Sequence, residues 1–173
     1  MPTCCDTLAT IEKICGGTNA AGFAKQIYIA CEDEVTAIPA KDNYPTTGAA
    51  HTVSTAITLA ATKTFKIWNV SDVDQELTTV PDGDPGFQTF ITTMKFRIPS
   101  VSPLSSHILN GIIGGGFIGI VPDKKGQRLL IGERGNAATL QVEMSLTDKN
   151  SYLVTLTWRH SALPLFYTST ITT

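Results

Sequence analysis

The chain is poor in charge. Of its 173 residues, Lys and Arg supply 13 and Asp and Glu supply 15, leaving a formal charge of −2 and a charged fraction of 16%. An average globular chain carries about 25%. So small a positive complement excludes the basic stripe of a duplex-DNA binder. The weak charge, with 42% apolar residues, also excludes a disordered chain. Long apolar runs are missing. The nearest, Ile108 to Val121, is short and broken by five glycines, so no membrane span is expected. The start, Met-Pro-Thr-Cys-Cys-Asp, has no basic stretch leading into an apolar run. The expectation is a chain made and folded in the cytoplasm.

Metal-ligand spacing is missing too. Cys4, Cys5, Cys15 and Cys31 form no Cys-x-x-Cys pair, and His51, His107 and His160 are scattered. We expect no metal, no cofactor and no disulfide, and read the cysteines as small hydrophobes. Catalytic patterns are equally thin. Ser105-Ser106-His107 sets hydroxyls beside a histidine, but adjacent helix positions do not face one another. Gly114 to Gly119 spells G-x-G-x-x-G, yet a helix precedes it and a strand follows, the reverse of a dinucleotide site. A bend or a close approach of two backbones accounts for those glycines. Arg159 and His160 read as a solvated polar edge after a strand. No catalytic residue is assigned, and an enzyme is not expected.

What the chain has is threonine, 25 residues of it, and β-type patterning. A single domain over 1–173 fits this length. Asp6 can cap a helix carrying Leu8, Ile11, Ile14 and Cys15, stopped by Gly16-Gly17. Strands are expected over 25–31, 35–38, 51–59 and 64–70. The last of these is apolar on both faces and so should be covered on both sides. Residues 39–50 read as loop. Strands resume over 87–99, with Met94, Phe96 and Ile98 on one face. Ser102 and Pro103 open a short helix that Asn110-Gly111 should end. A hairpin over 117–132, then strands over 138–146, 152–158 and 165–171, complete the chain. Together these predict a mainly β fold, a β-sandwich or barrel-like domain with a short flanking α-helix.

Residues 71–86 are the most acidic stretch, with Asp72, Asp74, Glu76, Asp82 and Asp84 among Pro81, Gly83, Pro85 and Gly86. They read as a long exposed polar loop, or a hairpin that needs a partner, and form the candidate inter-subunit loop. Low charge and β-branched strands suit a chain whose surface is covered by copies of itself.

The order from Phe87 onward carries a resemblance. A strand, a short helix and Gly116-Phe117-Ile118-Gly119-Ile120-Val121-Pro122-Asp123-Lys124-Lys125-Gly126 come first. Then follow Arg128-Leu129-Leu130-Ile131-Gly132, a strand, Asp148-Lys149-Asn150 and Tyr152-Leu153-Val154-Thr155-Leu156-Thr157. Ala21 to Ala30 looks like an opening strand of the same kind. This resembles the tail tube (major tail) proteins of tailed bacteriophages, Bacteroidetes-phage type. The resemblance implies a virion structural protein that pairs with itself. Its rings, hexamers in that family, stack around a channel in passive contact with DNA, and other tail or head proteins are its partners. It further implies an acidic channel lining. A head decoration protein or a tail terminator or adaptor is the rival role, and a small enzyme using the acidic stretch is a third.

Overall fold

The structure is a computed structural model and describes residues 25–41, 51–84, 86, 88–99, 101–123, 126–146 and 150–173. The expected helix over 6–15, Cys4, Cys5, Cys15 and most of the 39–50 loop lie outside them. The fold is mainly β with one α-helix, a β-sandwich-like domain. Its strands are β1 (Gln26–Cys31), β2 (Val35–Ala37), β3 (Thr52–Val53), β4 (Thr58–Leu59), β5 (Lys66–Asn69) and β6 (Ser71–Asp82). After them come β7 (Thr89–Pro99), helix α1 (Pro103–Ile112), β8 (Gly116–Pro122), β9 (Arg128–Ile131), β10 (Ala138–Ser145), β11 (Ser151–His160) and β12 (Leu165–Tyr167). One large sheet runs β3-β12-β9-β8-β10-β11-β7-β6, with β1 joined to both β5 and β8. β2 and β4 form a separate pair.

β8 is the hinge of this arrangement. Its charge-free sequence pairs with β1 along one edge and with β9 and the start of β10 along the other. Its side chains alternate between two cores. Phe117 and Val121 enter the first core, and Ile118 and Ile120 enter the second. The first core lies inside the curve of the sheet. Ile27, Ile29 and Trp68 line one wall, Met94, Phe96, Ile98, Leu140, Val154 and Leu156 the other, with Ile108, Leu109 and Ile112 of α1 at its side. The second lies on the far face, where Val35, Val53, Ile57, Phe65 and Tyr167 cover Ala30 and Leu130. The two-sided burial expected for residues 64–70 is present, since Phe65 and Trp68 sit in different cores.

α1 starts as its sequence requires. Ser102 accepts from the Ser105 backbone N–H while the Ser105 hydroxyl accepts from the Ser102 N–H, and Pro103 occupies the first turn. The expected stop at Asn110-Gly111 is overturned. The helix continues to Ile112, which is fully buried, and burial of that side chain offsets the roughly 1 kcal/mol that Gly111 costs. Gly114, at φ 86°, then turns the chain into β8. Residues 51–59 also differ from expectation. They form two short strands in different sheets, because Val53 and Ile57 are drawn into the second core while the Tyr167 hydroxyl accepts from the Ile57 N–H.

The larger correction concerns the polar loop expected over 71–86. Residues 71–82 are strand β6, the first arm of a hairpin with β7, and only the tip that follows is turn. Leu77 packs against the first core, Thr79 follows it two residues on, and Glu76, Thr78, Val80 and Asp82 take the opposite face. Pro81 is tolerated because β6 is an edge strand.

Gly132 follows β9 with φ 92°, where the chain turns toward β10, and a Cβ there would lie 2.5 Å from the Phe117 carbonyl oxygen. Gly132→Ala is therefore expected to cost about 1–3 kcal/mol, measured by urea unfolding.

Candidate subunit interface

β10, β11, β7 and β6 form a four-stranded antiparallel sheet with unlike faces. The inner face is apolar and packs on the first core. The outer face is built by period-2 alternation from small polar side chains. One cross-strand row consists of Thr139, Thr157, Thr93 and Thr78, side by side. The next is Gln141, Thr155, Lys95 and Glu76. Val80, Ile91 and Leu153 are the apolar exceptions. Threonine suits these positions because its branched Cβ fits the pleat while its hydroxyl faces water.

The candidate acidic residues fall largely on this face, and they are not an unbalanced acidic patch. Arg97 Nε donates to Asp74 Oδ2 at 2.5 Å. Lys95 Nζ lies 3.7 Å from Glu76 Oε2. Arg159 Nη1 reaches across β7 to Asp82 Oδ2 at 2.9 Å. Asp72 lies in the irregular stretch of β6 between Ser71 and Glu76, and Asp84 stands exposed at the hairpin tip. On this face the three carboxylates Asp74, Glu76 and Asp82 therefore have cations for neighbours. Sequence reasoning missed Lys95, Arg97 and Arg159 as partners. The signal was there in part, since β7 and β11 carry their cations on the same parity as their outward threonines.

Asp74 has φ 59°, a left-handed conformation that Asp tolerates better than most residues. Arg97 ties this bulge down and also donates from Nη1 to the Ser151 hydroxyl at 3.1 Å, linking β6, β7 and β11.

Arg159 and His160, expected at a solvated edge, separate. Arg159 is exposed, whereas His160 is 7% exposed and stacks on Trp158 at 3.6 Å between ring centres. Its Nε2 bonds the Thr92 hydroxyl at 3.0 Å, which in turn bonds the Thr79 hydroxyl at 2.8 Å. This chain ties β6, β7 and β11 together on the inner face. Burial holds the imidazole below its ordinary pKa of 6.5.

Gly116, Ser106 and Cys31 take structural places. Gly116 is a close approach, since a Cβ there would lie 2.6 Å from Glu32 Oε2 and 2.8 Å from the Ala137 Cβ. Ser106 hydrogen-bonds the Tyr152 hydroxyl, and His107 is exposed on α1. Cys31 is a buried thiol outside any disulfide. Among the described residues no cluster of His, Cys, Asp and Glu could hold a metal ion, and no helix is long and apolar enough to cross a membrane.

Both borders of the four-stranded sheet are open among the described residues. β6 pairs only with β7. β10 pairs with β8 only at Ala138 and Thr139, so Leu140 to Ser145 has β11 on one side and no strand on the other. Where β8 leaves, the apolar face of β10 emerges from the core. Leu140 is buried, but Met144 is 59% exposed and Leu146 61%. Compared with family models, curated proteins and solved structures, the chain matches none.

Two outcomes follow from these contacts. His160 takes up a proton in the unfolded chain at a higher pH than in the fold. Stability is therefore complete above pH 6.5 and declines as pH falls through that value toward the lower folded pKa. Urea midpoints measured against pH should show this decline, and His160→Gln should remove it. Lys95→Met and Arg159→Met should each cost less than about 1 kcal/mol, as exposed ion pairs do. Arg97→Met should cost more, because it also loses the Ser151 bond and frees the Asp74 bulge; chemical unfolding measures all three.

Proposed function

We propose that the chain is a self-assembling structural subunit of a phage virion, a tail tube protein whose rings stack around a DNA channel. The observation that carries this reading is the four-stranded sheet, open at both borders among the described residues. An unpaired edge in a monomer is usually blunted by charge, by proline, by a bulge, by closure or by a covering loop, and β6 has Pro81 and the Asp74 bulge. Here the open part of β10 carries Glu143 as its only charge. Two edges on one sheet form a heterologous pair, and repeating such a contact by rotation closes a ring. A ring closed through those edges makes one continuous barrel from many copies.

The outer face supplies the second support. A channel for DNA must hold no net attraction for phosphate. The threonine rows offer hydroxyls without net charge, and the cations Lys95, Arg97 and Arg159 are each engaged by a carboxylate. In this reading a face with three cations and four carboxylates, Glu143 being the excess one, takes the place of the strongly acidic lining that the resemblance implies. The hairpin tips lie at the two ends of the sheet, where stacked rings would meet. The mechanism is passive, with no enzyme activity, metal or cofactor. The copies would be hexameric rings, as in the family resembled, sited in the virion tail.

Negative-stain electron microscopy of the purified protein over a range of concentrations tests this. Tubes or stacked rings of uniform width are expected. Single particles that bind isolated heads or tail ends, and never stack, would overturn the tube reading in favour of a decoration or terminator role.

A further inference from the structure

We propose that neighbouring copies join in one particular register, with the β6 edge of one copy antiparallel to the β10 edge of the next and Leu77 directly opposite Met144. This rests on the reading of the chain as a ring-forming subunit, and it adds which residues meet.

The strand directions permit the contact. β10, β11, β7 and β6 alternate in direction, so β10 and β6 of one copy are antiparallel. Placing the next copy's β10 beside β6 continues the alternation. The open part of β10, Leu140 to Ser145, is close in length to the regular part of β6, Glu76 to Asp82.

Facing then restricts the register, because a shift by one residue would turn every side chain to the wrong face. On β6 the even-numbered residues from Glu76 point outward, whereas on β10 the odd-numbered ones from Thr139 do. Only registers two residues apart remain, and three give substantial overlap. In one, Glu76 lies opposite Glu143, and like charges directly opposite destabilise a pair. In another, Val80 lies opposite Glu143, and Glu76 and Leu77 run past the end of β10. The third matches all of Leu140 to Ser145 with Glu76 to Pro81, leaving Asp82 beside Thr139, which β8 already pairs. Outward, it sets Glu76 against Ser145, Thr78 against Glu143 and Val80 against Gln141. Inward, it sets Leu77 against Met144 and Thr79 against Val142. Pro81, which has no N–H to donate, falls at the last position, opposite Leu140, just before β10 turns to β8.

This register accounts for the exposure of Met144. Its side chain leaves the core of its own copy and meets Leu77, which continues the core of the neighbour. It also gives a reasonable barrel. Thr78 shares a row with Thr139 within a copy but meets Glu143 across the contact, a step of four residues. About four residues of about 3.3 Å, over four strands about 4.8 Å apart, tilt the strands by about 35°, the tilt at which closed barrels form.

Cysteine pairs test the register. Leu77→Cys protein is mixed with Met144→Cys, Val142→Cys or Leu146→Cys protein, assembled and oxidised, with the parent and each single variant setting the background from native thiols. Directly opposite Cβ atoms are within disulfide reach and those two residues along are not, so Met144→Cys should exceed either alternative about tenfold in cross-linked dimer. A charge swap gives an independent reading. Ser145→Glu should raise the concentration needed for assembly about fivefold by sedimentation, and Glu76→Lys on the same chain should restore it. Assembled rings with Val142 or Leu146 as the preferred partner, or with no cross-link to Met144, would overturn the register and leave the ring reading standing. Protein that sediments as a monomer at every concentration would overturn both.

Discussion

Strand β8 must be covered on both faces, and the architecture follows from that requirement. A strand reading Gly-Phe-Ile-Gly-Ile-Val-Pro has no polar side to show to water. Phe117 and Val121 require one core, and Ile118 and Ile120 require another. The chain satisfies the first with β1, β5, β7, β10, β11 and α1, whose apolar residues share that core. It satisfies the second with segments from far apart in sequence, Val35, Val53, Phe65 and Tyr167. Burial of this kind contributes about 1.5–3 kcal/mol for each large side chain, so the two cores outweigh any single polar contact in the protein.

The same demand leaves the open border. β8 can accompany β10 only for Ala138 and Thr139, because the residues before Gly116 belong to the turn that brings α1 to its place. Beyond that point β10 has lost its neighbour while keeping its alternation. The half-exposed stripe of Val142 and Met144 is therefore a product of how α1 enters the sheet, and the proposed contact between copies uses what the fold leaves uncovered.

Strands and the helix were legible where local pattern and burial agree. The alternation of Tyr152, Val154, Leu156 and Trp158 gives β11, and Ser102-Pro103 opens α1. Residues 71–82 were not legible as a strand, because Asp, Pro and their spacing carry loop propensity while the forces that hold β6 are remote. Arg97, Lys95 and Arg159 come from other strands, and Pro81 is permitted only because β6 lies at an edge. The burial of His160 was hidden for a similar reason: its hydroxyl partners, Thr92 and Thr79, lie on two other strands. The candidate residues were on the right segment, but their chemistry depended on strand pairing. The open edges were not legible at all, since an unpaired border is a property of sheet order, which no local pattern reports.

The threonine rows bear on how ordering one copy against another is opposed. Threonine has a single branched torsion and is already confined by the pleat, whereas a lysine or glutamine surrenders up to about 2 kcal/mol of rotamer entropy when fixed. At the β6 border, Thr78, Thr79 and Val80 have little motion left to surrender. A border built this way is pre-ordered, so a weak contact repeated around a closed path can hold without a strong one anywhere along it.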